Sequence, residues 1–204
     1  MSTLDRCRLV GVTSGLAALS LLLCSPQANA QNLVANPGFE TGDFTGWDTT
    51  LLRGSTLVAT AGFDGYNPHS GADFAALGSN GLVSTIQQAL TTVIGQTYTV
   101  SFWLASDGGT PNLFDATFGS ATILNVTNLA AQPYVLYSSQ VVATATTTEL
   151  AIASQNNPGW LALDDVSVTP SAGGSGVAPE PASLALIGTF AVAGIPAIVR
   201  RRRK

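Results

Sequence analysis

Three aromatic side chains have chemistry suited to binding a sugar. In a β-sandwich, exposed rings stack on the apolar face of a pyranose, and nearby amides and carboxylates bond its hydroxyl groups. Trp103 is the first candidate, because it lies in the alternating run 97–104 and points away from the apolar face of that run. Tyr66 and Tyr137 are further candidates. Packing in the core is the competing explanation for each of these rings.

Residue patterns for catalysis are scarce. The single histidine, His69, lies in a turn-like stretch at 66–71, where we expect a solvated loop residue and not a general base. The sequence contains no nucleophile elbow, zinc-protease helix motif or phosphate-binding loop. A carboxylate pair such as Asp64 and Asp73 could hydrolyse glycosides, but nothing in their spacing indicates that chemistry. We therefore expect a protein that is not an enzyme.

These side chains must be positioned by strands. From residue 31 to about residue 169, β-rich runs alternate with turn residues and no helical period is present. The run 97–104 places four side chains on the core face: Tyr98, Val100, Phe102 and Leu104. Eight further runs are strand candidates: 55–61, 73–77, 83–89, 115–119, 122–126, 134–142, 149–154 and 160–168. About nine strands predict an all-β fold, a jelly-roll-like sandwich of two sheets over residues 31–170.

The basic residues are concentrated at the two ends of the chain. Of eight lysines and arginines, only Arg53 lies between positions 31 and 178, whereas ten of the twelve acidic residues lie there. Such an acidic surface repels a phosphate backbone, which excludes nucleic acid as a partner. The basic ends are better explained by membrane topology.

The first 30 residues have the layout of a secretory signal peptide. A basic start precedes an apolar stretch at 16–23, and small residues suit cleavage after Ala30. Lipidation at Cys24 is the alternative, but the bulky residue before it does not suit the processing enzyme. Both cysteines, Cys7 and Cys24, would leave with this peptide, so we expect an exported chain without thiols or disulfides.

The C-terminal part has the pattern of a membrane segment. Residues 182–199 carry no charge, and as a helix they would span about 27 Å, close to the roughly 30 Å of a hydrocarbon core. The five basic residues 200–204 would stay in the cytoplasm. A Gly/Ser-rich stretch at 171–178 predicts a flexible linker to the preceding domain.

The motif Pro179-Glu180-Pro181 precedes this helix, and an arginine cluster ends the chain. Together, residues 179–204 resemble the PEP-CTERM sorting signal of exported proteins from Gram-negative bacteria that make exopolysaccharide. The resemblance implies recognition by an exosortase, a membrane protease-transpeptidase. It also implies membrane anchoring before processing, followed by delivery to the cell surface or extracellular matrix. It says nothing about what the exported domain does.

Both ends of the β-rich region resemble jelly-roll carbohydrate-binding modules. The opening is residues 32–42 followed by Gly46-Trp47, and the closing strand is residues 163–168. The middle of the domain, residues 50–155, carries no such resemblance. Because Trp47 and Trp160 adjoin these two segments, we expect both rings to pack in the core.

A structural calcium ion is also implied by this resemblance. In the resembling modules the two chain ends lie side by side around the ion, which takes six to eight oxygen ligands. Here Glu40, Asp164 or Asp165, and turn carbonyls would supply them. The alternative is that these acids belong to an ordinary acidic surface.

Two functions follow from these observations. The first is a non-catalytic module that binds carbohydrate, with exopolysaccharide as the partner. The second is a structural or adhesive surface protein whose sandwich has no glycan ligand. The sequence does not name the glycan, because specificity depends on loop hydrogen bonds.

Overall fold

The computed structural model describes residues 31–79 and 81–171. The predicted signal peptide, the sorting signal with its helix at 182–199, and most of the linker lie outside the described residues. Within the described part, no helix is long and apolar enough to cross a membrane.

Nine strands and one short 3-10 helix make up the described chain, so the predicted all-β fold is confirmed. Most predicted boundaries lie within three residues of the observed ones. The strands are β1 Leu57–Thr60, β2 Asp73–Leu77, β3 Ser84–Thr91, β4 Thr97–Ser106, β5 Asn112–Phe118, β6 Ala121–Thr127, β7 Gln132–Val142, β8 Thr147–Asn156 and β9 Leu161–Pro170, and the 3-10 helix is Phe63–Gly65.

The strands form two antiparallel sheets that pack face to face as a jelly-roll sandwich. One sheet has the order β1-β2-β9-β4-β7, and the other has the order β3-β8-β5-β6. The pairing of β4 with β9 shifts register between Ser101 and Trp103. Asp165, on the opposite strand, has the left-handed φ of 51° that such a bulge produces.

The core lies between the two sheets. The predicted core face of β4 is confirmed, since Tyr98, Val100, Phe102 and Leu104 are all at most 3% exposed. Trp47 is also buried, and its ring stacks on Phe39 with centroids 5.6 Å apart. The alternation of apolar and polar residues therefore orients these strands as the period of two requires.

A second, smaller apolar cluster covers part of the outer face of the five-stranded sheet. Phe74 and four alanines of the sheet (Ala59, Ala76, Ala105 and Ala162) are buried there, although they point away from the main core. The connection between β1 and β2 covers them with Phe63 and Tyr66. The chain thus builds a loop-covered region and an open region on the same sheet.

The first and last segments of the domain are joined by hydrogen bonds. Leu33 donates its N–H to the carbonyl of Val168, and the Asn32 amide bonds main-chain groups of Val166 and Val168. Both apolar clusters and their closing strand lie within residues 31–171. This segment therefore has its own hydrophobic core and its own paired chain ends.

Candidate functional site

Trp103 lies on the outer face of the five-stranded sheet, where the alternation of β4 places it. It is partly covered, because the imidazole of His69 stacks on its indole with centroids 3.8 Å apart and an interplanar angle of 17°. The ring of Tyr134 meets the same imidazole edge-on at 5.5 Å. His69 lies in a loop and is exposed, as expected, but its ring also packs against the outer face of the sheet.

Two adjacent aspartates of β9 hold the His69 loop in place. The buried Asp164 carboxylate accepts the backbone N–H groups of His69 and Ser70 through Oδ2, at 2.8 and 3.1 Å. Asp165 bonds the His69 ring at 2.6 Å and accepts the Ser70 hydroxyl, also at 2.6 Å. We call these contacts between residues 69–70 and Asp164-Asp165 the loop latch. The β-bulge makes it possible, because it directs consecutive side chains to the same loop.

Burial changes the acidity of one latch residue. Removal from water raises the pKa of the Asp164 carboxyl to about 6, because burial penalises the charged form. The three N–H bonds that the carboxylate accepts lower the pKa, but they offset only part of this rise. No Lys or Arg side chain offsets this charge among the described residues. Arg53 is the only one there, and its guanidinium bonds the carbonyls of Thr50 and Leu52.

Two of the three carboxylates predicted to hold calcium, those of Asp164 and Asp165, lie close to Gly38, whereas the Glu40 carboxylate is directed to the segment 71–73. A Cβ atom at Gly38 would lie 3.5 Å from Asp164 Oδ1, 3.6 Å from Asp165 Oδ1 and 3.6 Å from Glu40 Cγ. Such hard oxygens suit calcium, but each carboxylate already accepts hydrogen bonds, those of Glu40 from the N–H groups of Ala72 and Asp73. In residues 31–79 and 81–171, no group of three or more acidic, His or Cys side chains is arranged to hold a metal ion. Calcium at these residues stays a prediction.

The other two rings predicted to contact a ligand, Tyr66 and Tyr137, lie on opposite faces of the five-stranded sheet. Tyr66 belongs to the outer cluster, where its hydroxyl donates to the Trp160 carbonyl at 2.9 Å. Burial, and then the nearby Asp107 and Asp64, raise the pKa of Tyr66. Tyr137 faces the main core instead and stacks against Phe102 at 5.9 Å. The structure therefore places Tyr66 and Trp103 on the outer face and Tyr137 on the inner one.

A small pocket lies beside Trp160, at the end of the sandwich where β8 leads into β9. Its volume is about 220 Å³. Trp160 forms an aromatic wall that also packs edge-on against Phe63, with centroids 5.0 Å apart. Ser and Asn side chains supply hydroxyl and amide groups elsewhere in the pocket. The full lining is Ser55, Gly78, Ser79, Asn156, Asn157, Pro158, Gly159 and Trp160.

Asp107 organises the loop that forms this pocket. Its carboxylate accepts the backbone N–H of Trp160 at 2.8 Å and of Gly109 at 2.8 Å, and it bonds the Asn156 amide nitrogen at 3.2 Å. Asn156 is 2% exposed, and its Oδ1 has no hydrogen-bond partner among the described residues. Polar groups of this kind are usually satisfied when buried. The pocket thus combines an aromatic wall, the exposed amide of Asn157 and one unsatisfied buried carbonyl oxygen.

The sequence pattern assigned Trp160 to the core. The Trp160 ring packs against Phe63 on one side and lines the pocket on the other. The core assignment describes only the contact with Phe63. The turn at 156–159, rich in Asn, Pro and Gly, was the available signal for a loop of this kind. The sorting motif of Pro179, Glu180 and Pro181 lies outside the described residues.

Solved structures of two carbohydrate-binding modules have a fold similar to that of this chain. The chain is similar to the module TmCBM61, solved with β-1,4-galactotriose, at 19% identity and a TM-score of 0.54 over 70% of this chain and all of that one. It is also similar to the CBM22-1 xylan-binding domain of Paenibacillus barcinonensis Xyn10C, at 16% identity and a TM-score of 0.52, over 70% of this chain and 97% of that one. At such identities the likeness shows the fold alone.

An enzyme contains the same type of sandwich. The chain is similar to 21% of the enzymatically active domain of tailspike protein 4 from bacteriophage CBA120, at 13% identity and a TM-score of 0.52 over 69% of this chain. No protein-family model matches the chain, and no curated protein matches it.

Proposed function

We propose that residues 31–171 form a non-catalytic module that binds carbohydrate. The observation that carries this proposal is the pocket beside Trp160, in which an aromatic ring is combined with amide and hydroxyl groups. An aromatic wall suits the apolar face of a sugar ring, and the polar groups suit its hydroxyls. At about 220 Å³ the pocket is smaller than the about 300–1,000 Å³ of drug-sized ligand sites, so it suits one sugar unit of a chain.

Trp103 supports a second contact with the same glycan. It lies at the border of the open part of the outer sheet face, next to Tyr134, and its imidazole cover rests on a loop that the loop latch holds. A loop of this kind can move without unfolding the sandwich. Tyr66 contributes indirectly, because its hydroxyl bonds the carbonyl of the pocket residue Trp160.

The acid groups argue for binding and against hydrolysis. The carboxyl with a raised pKa, Asp164, accepts three backbone N–H groups and lies under the His69 loop, so it has no free proton path to a substrate. Asp107 lies next to the pocket, and its oxygens accept the hydrogen bonds that shape the pocket loop. Glycoside hydrolysis needs two carboxylates that both face the substrate.

The experiment that tests this proposal is calorimetric titration of residues 31–171 with β-1,4-linked galacto- and xylo-oligosaccharides and with native exopolysaccharide. Asn157→Ala removes an exposed amide of the pocket, and Asn67→Ala removes an equally exposed amide elsewhere as the matched control. We expect saturable binding that Asn157→Ala weakens about fivefold or more and Asn67→Ala leaves unchanged. Binding to none of these glycans would overturn the proposal.

The cellular role of the module is a further part of the proposal. We propose export through the signal peptide, membrane anchoring through residues 182–199, and processing by an exosortase at the Pro179-Glu180-Pro181 motif. The module would then hold exopolysaccharide at the cell surface or in the extracellular matrix of a Gram-negative bacterium. Structural calcium at Glu40, Asp164 and Asp165 would stabilise the module at neutral pH by supplying the positive charge that these acids lack.

A further inference from the structure

The free edge of the five-stranded sheet is a long strand with no charged residue. β7 has eleven residues, Gln132–Val142, and among residues 31–79 and 81–171 it pairs only with β4. An edge strand leaves half of its N–H and C=O groups directed outward, ready to pair with another strand. Proteins normally protect such an edge with charges or by covering it, and β7 has only Pro133 near its start.

The other edges of the sandwich are less suited to pairing. β1 has only four residues. The outer edge of β3 is covered, because Asp48 and Gln87 exchange backbone hydrogen bonds there and Thr85 donates to the Leu51 carbonyl. β6 is also an edge strand, but it is shorter than β7. It belongs to the four-stranded sheet and lies next to β7 at the same side of the sandwich.

The side of the sandwich formed by β6 and β7 is uncharged, so two copies can approach each other there without electrostatic repulsion. Residues 116–148, which include all of β6 and β7, contain no Asp, Glu, Lys, Arg or His. All ten acids of the domain lie elsewhere, so two copies repel each other through every surface on which those acids are exposed. Three aliphatic side chains of β7 are exposed: Val135 at 38%, Leu136 at 50% and Val142 at 52%.

We propose that β7 is a self-association edge, where two copies pair β7 with β7 in antiparallel fashion and join their five-stranded sheets. This interface goes beyond the proposed glycan binding and uses none of the pocket residues. Antiparallel pairing of identical strands is isologous, so each contact occurs twice about a two-fold axis. Because Pro133 has no N–H, the pairing window is 134–142, which centres the axis on Ser138.

Sedimentation equilibrium of residues 31–171 over about a hundredfold range of concentration tests the proposal. We expect the average mass to rise from one copy towards two. Leu136→Glu places a negative charge on the edge and should keep the protein monomeric. Leu51→Glu is the matched control, since Leu51 is 47% exposed away from β7, and it should associate like the unmodified chain.

Cysteine cross-linking tests the geometry. The segment 31–171 has no cysteine, so single variants Leu136→Cys, Ser138→Cys and Gln140→Cys report contacts without background. We expect disulfide-linked dimers with the highest yield at Ser138→Cys, and none from Thr60→Cys on the opposite edge strand β1. A chain that stays monomeric at all concentrations, or equal cross-linking at positions 60 and 138, would overturn the proposal.

Discussion

The His69 imidazole and the Trp103 indole are stacked, with ring centroids 3.8 Å apart and planes 17° apart. This contact links the connection between β1 and β2 to the outer face of β4. It exists because Asp164 and Asp165 accept hydrogen bonds from the backbone and the ring of His69. Access to the Trp103 ring from solvent therefore depends on the loop latch.

Removing the imidazole should expose Trp103. We expect His69→Ala to shift tryptophan emission to longer wavelength, to increase quenching by acrylamide, and to lower the free energy of unfolding by about 0.5–1.5 kcal/mol. Trp47 stays buried in the core and gives a constant background. Asn67→Ala in the same loop is the control and should change neither signal. Unchanged quenching in His69→Ala would mean that the imidazole does not cover this ring in solution.

The buried Asp164 predicts a pH dependence of stability in the presence of a chelator. Its folded pKa, about 6, lies above the ordinary value of 3.8, so the folded state holds the proton more tightly than the unfolded state. The stabilisation is complete below pH 4 and is lost as the pH rises through about 6, on the order of 2 kcal/mol. Chemical denaturation between pH 3.5 and pH 7 measures it.

Asp164→Asn provides the control for this pH effect. The amide cannot ionise, so the slope of stability against pH over this window should flatten, even though the variant is less stable overall. The loss arises because the amide nitrogen would face either the N–H groups of His69 and Ser70 or the N–H of Asp165. An unchanged slope would assign the pH dependence to other groups.

Calcium should raise the melting temperature of residues 31–171 by several degrees relative to chelator. A hundredfold excess over the dissociation constant adds about 2.7 kcal/mol if only the folded form binds. In Glu40→Ala the calcium-dependent shift should disappear. The calcium-dependent shift is the readout, because losing the hydrogen bonds that Glu40 accepts from the N–H groups of Ala72 and Asp73 lowers stability by itself. Equal melting temperatures in calcium and chelator would leave the hydrogen bonds as the only partners of these acids.

Export and sorting predict the mass of the surface protein. The mature chain should begin at Gln31 and end near the Pro179-Glu180-Pro181 motif, which intact-mass measurement of the surface fraction shows directly. Glu180→Ala should leave the chain in the membrane, whereas a simple anchor would not respond to that change. A surface population that retains the arginine tail would rule out processing.

Strands such as β4 could be predicted from the sequence because apolar and polar residues alternate in them with a period of two, whereas β2 reads as a short apolar run. The orientation of Trp103 followed from the same rule, but its contact with His69 did not. That contact depends on the bulge at Asp165 and on a loop that crosses the outer face, neither of which has a periodic signal. The Trp160 pocket was missed for a similar reason, since the positions of Asp107 and Asn156 are set by irregular loops.

The contact between Gly78 and Trp160 makes the wall of the pocket testable. A Cβ atom at Gly78 would lie 2.6 Å from Cε3 and Cζ3 of Trp160, so Gly78→Ala must displace the ring from its place against Phe63. We expect overpacking to cost about 1–3 kcal/mol of unfolding free energy. In a Trp160→Phe background the smaller ring should accommodate the methyl group, so the cost of Gly78→Ala should fall. A double-mutant cycle by chemical denaturation measures this coupling. Equal costs in both backgrounds would mean that Trp160 does not occupy this position and does not form the wall of the proposed pocket.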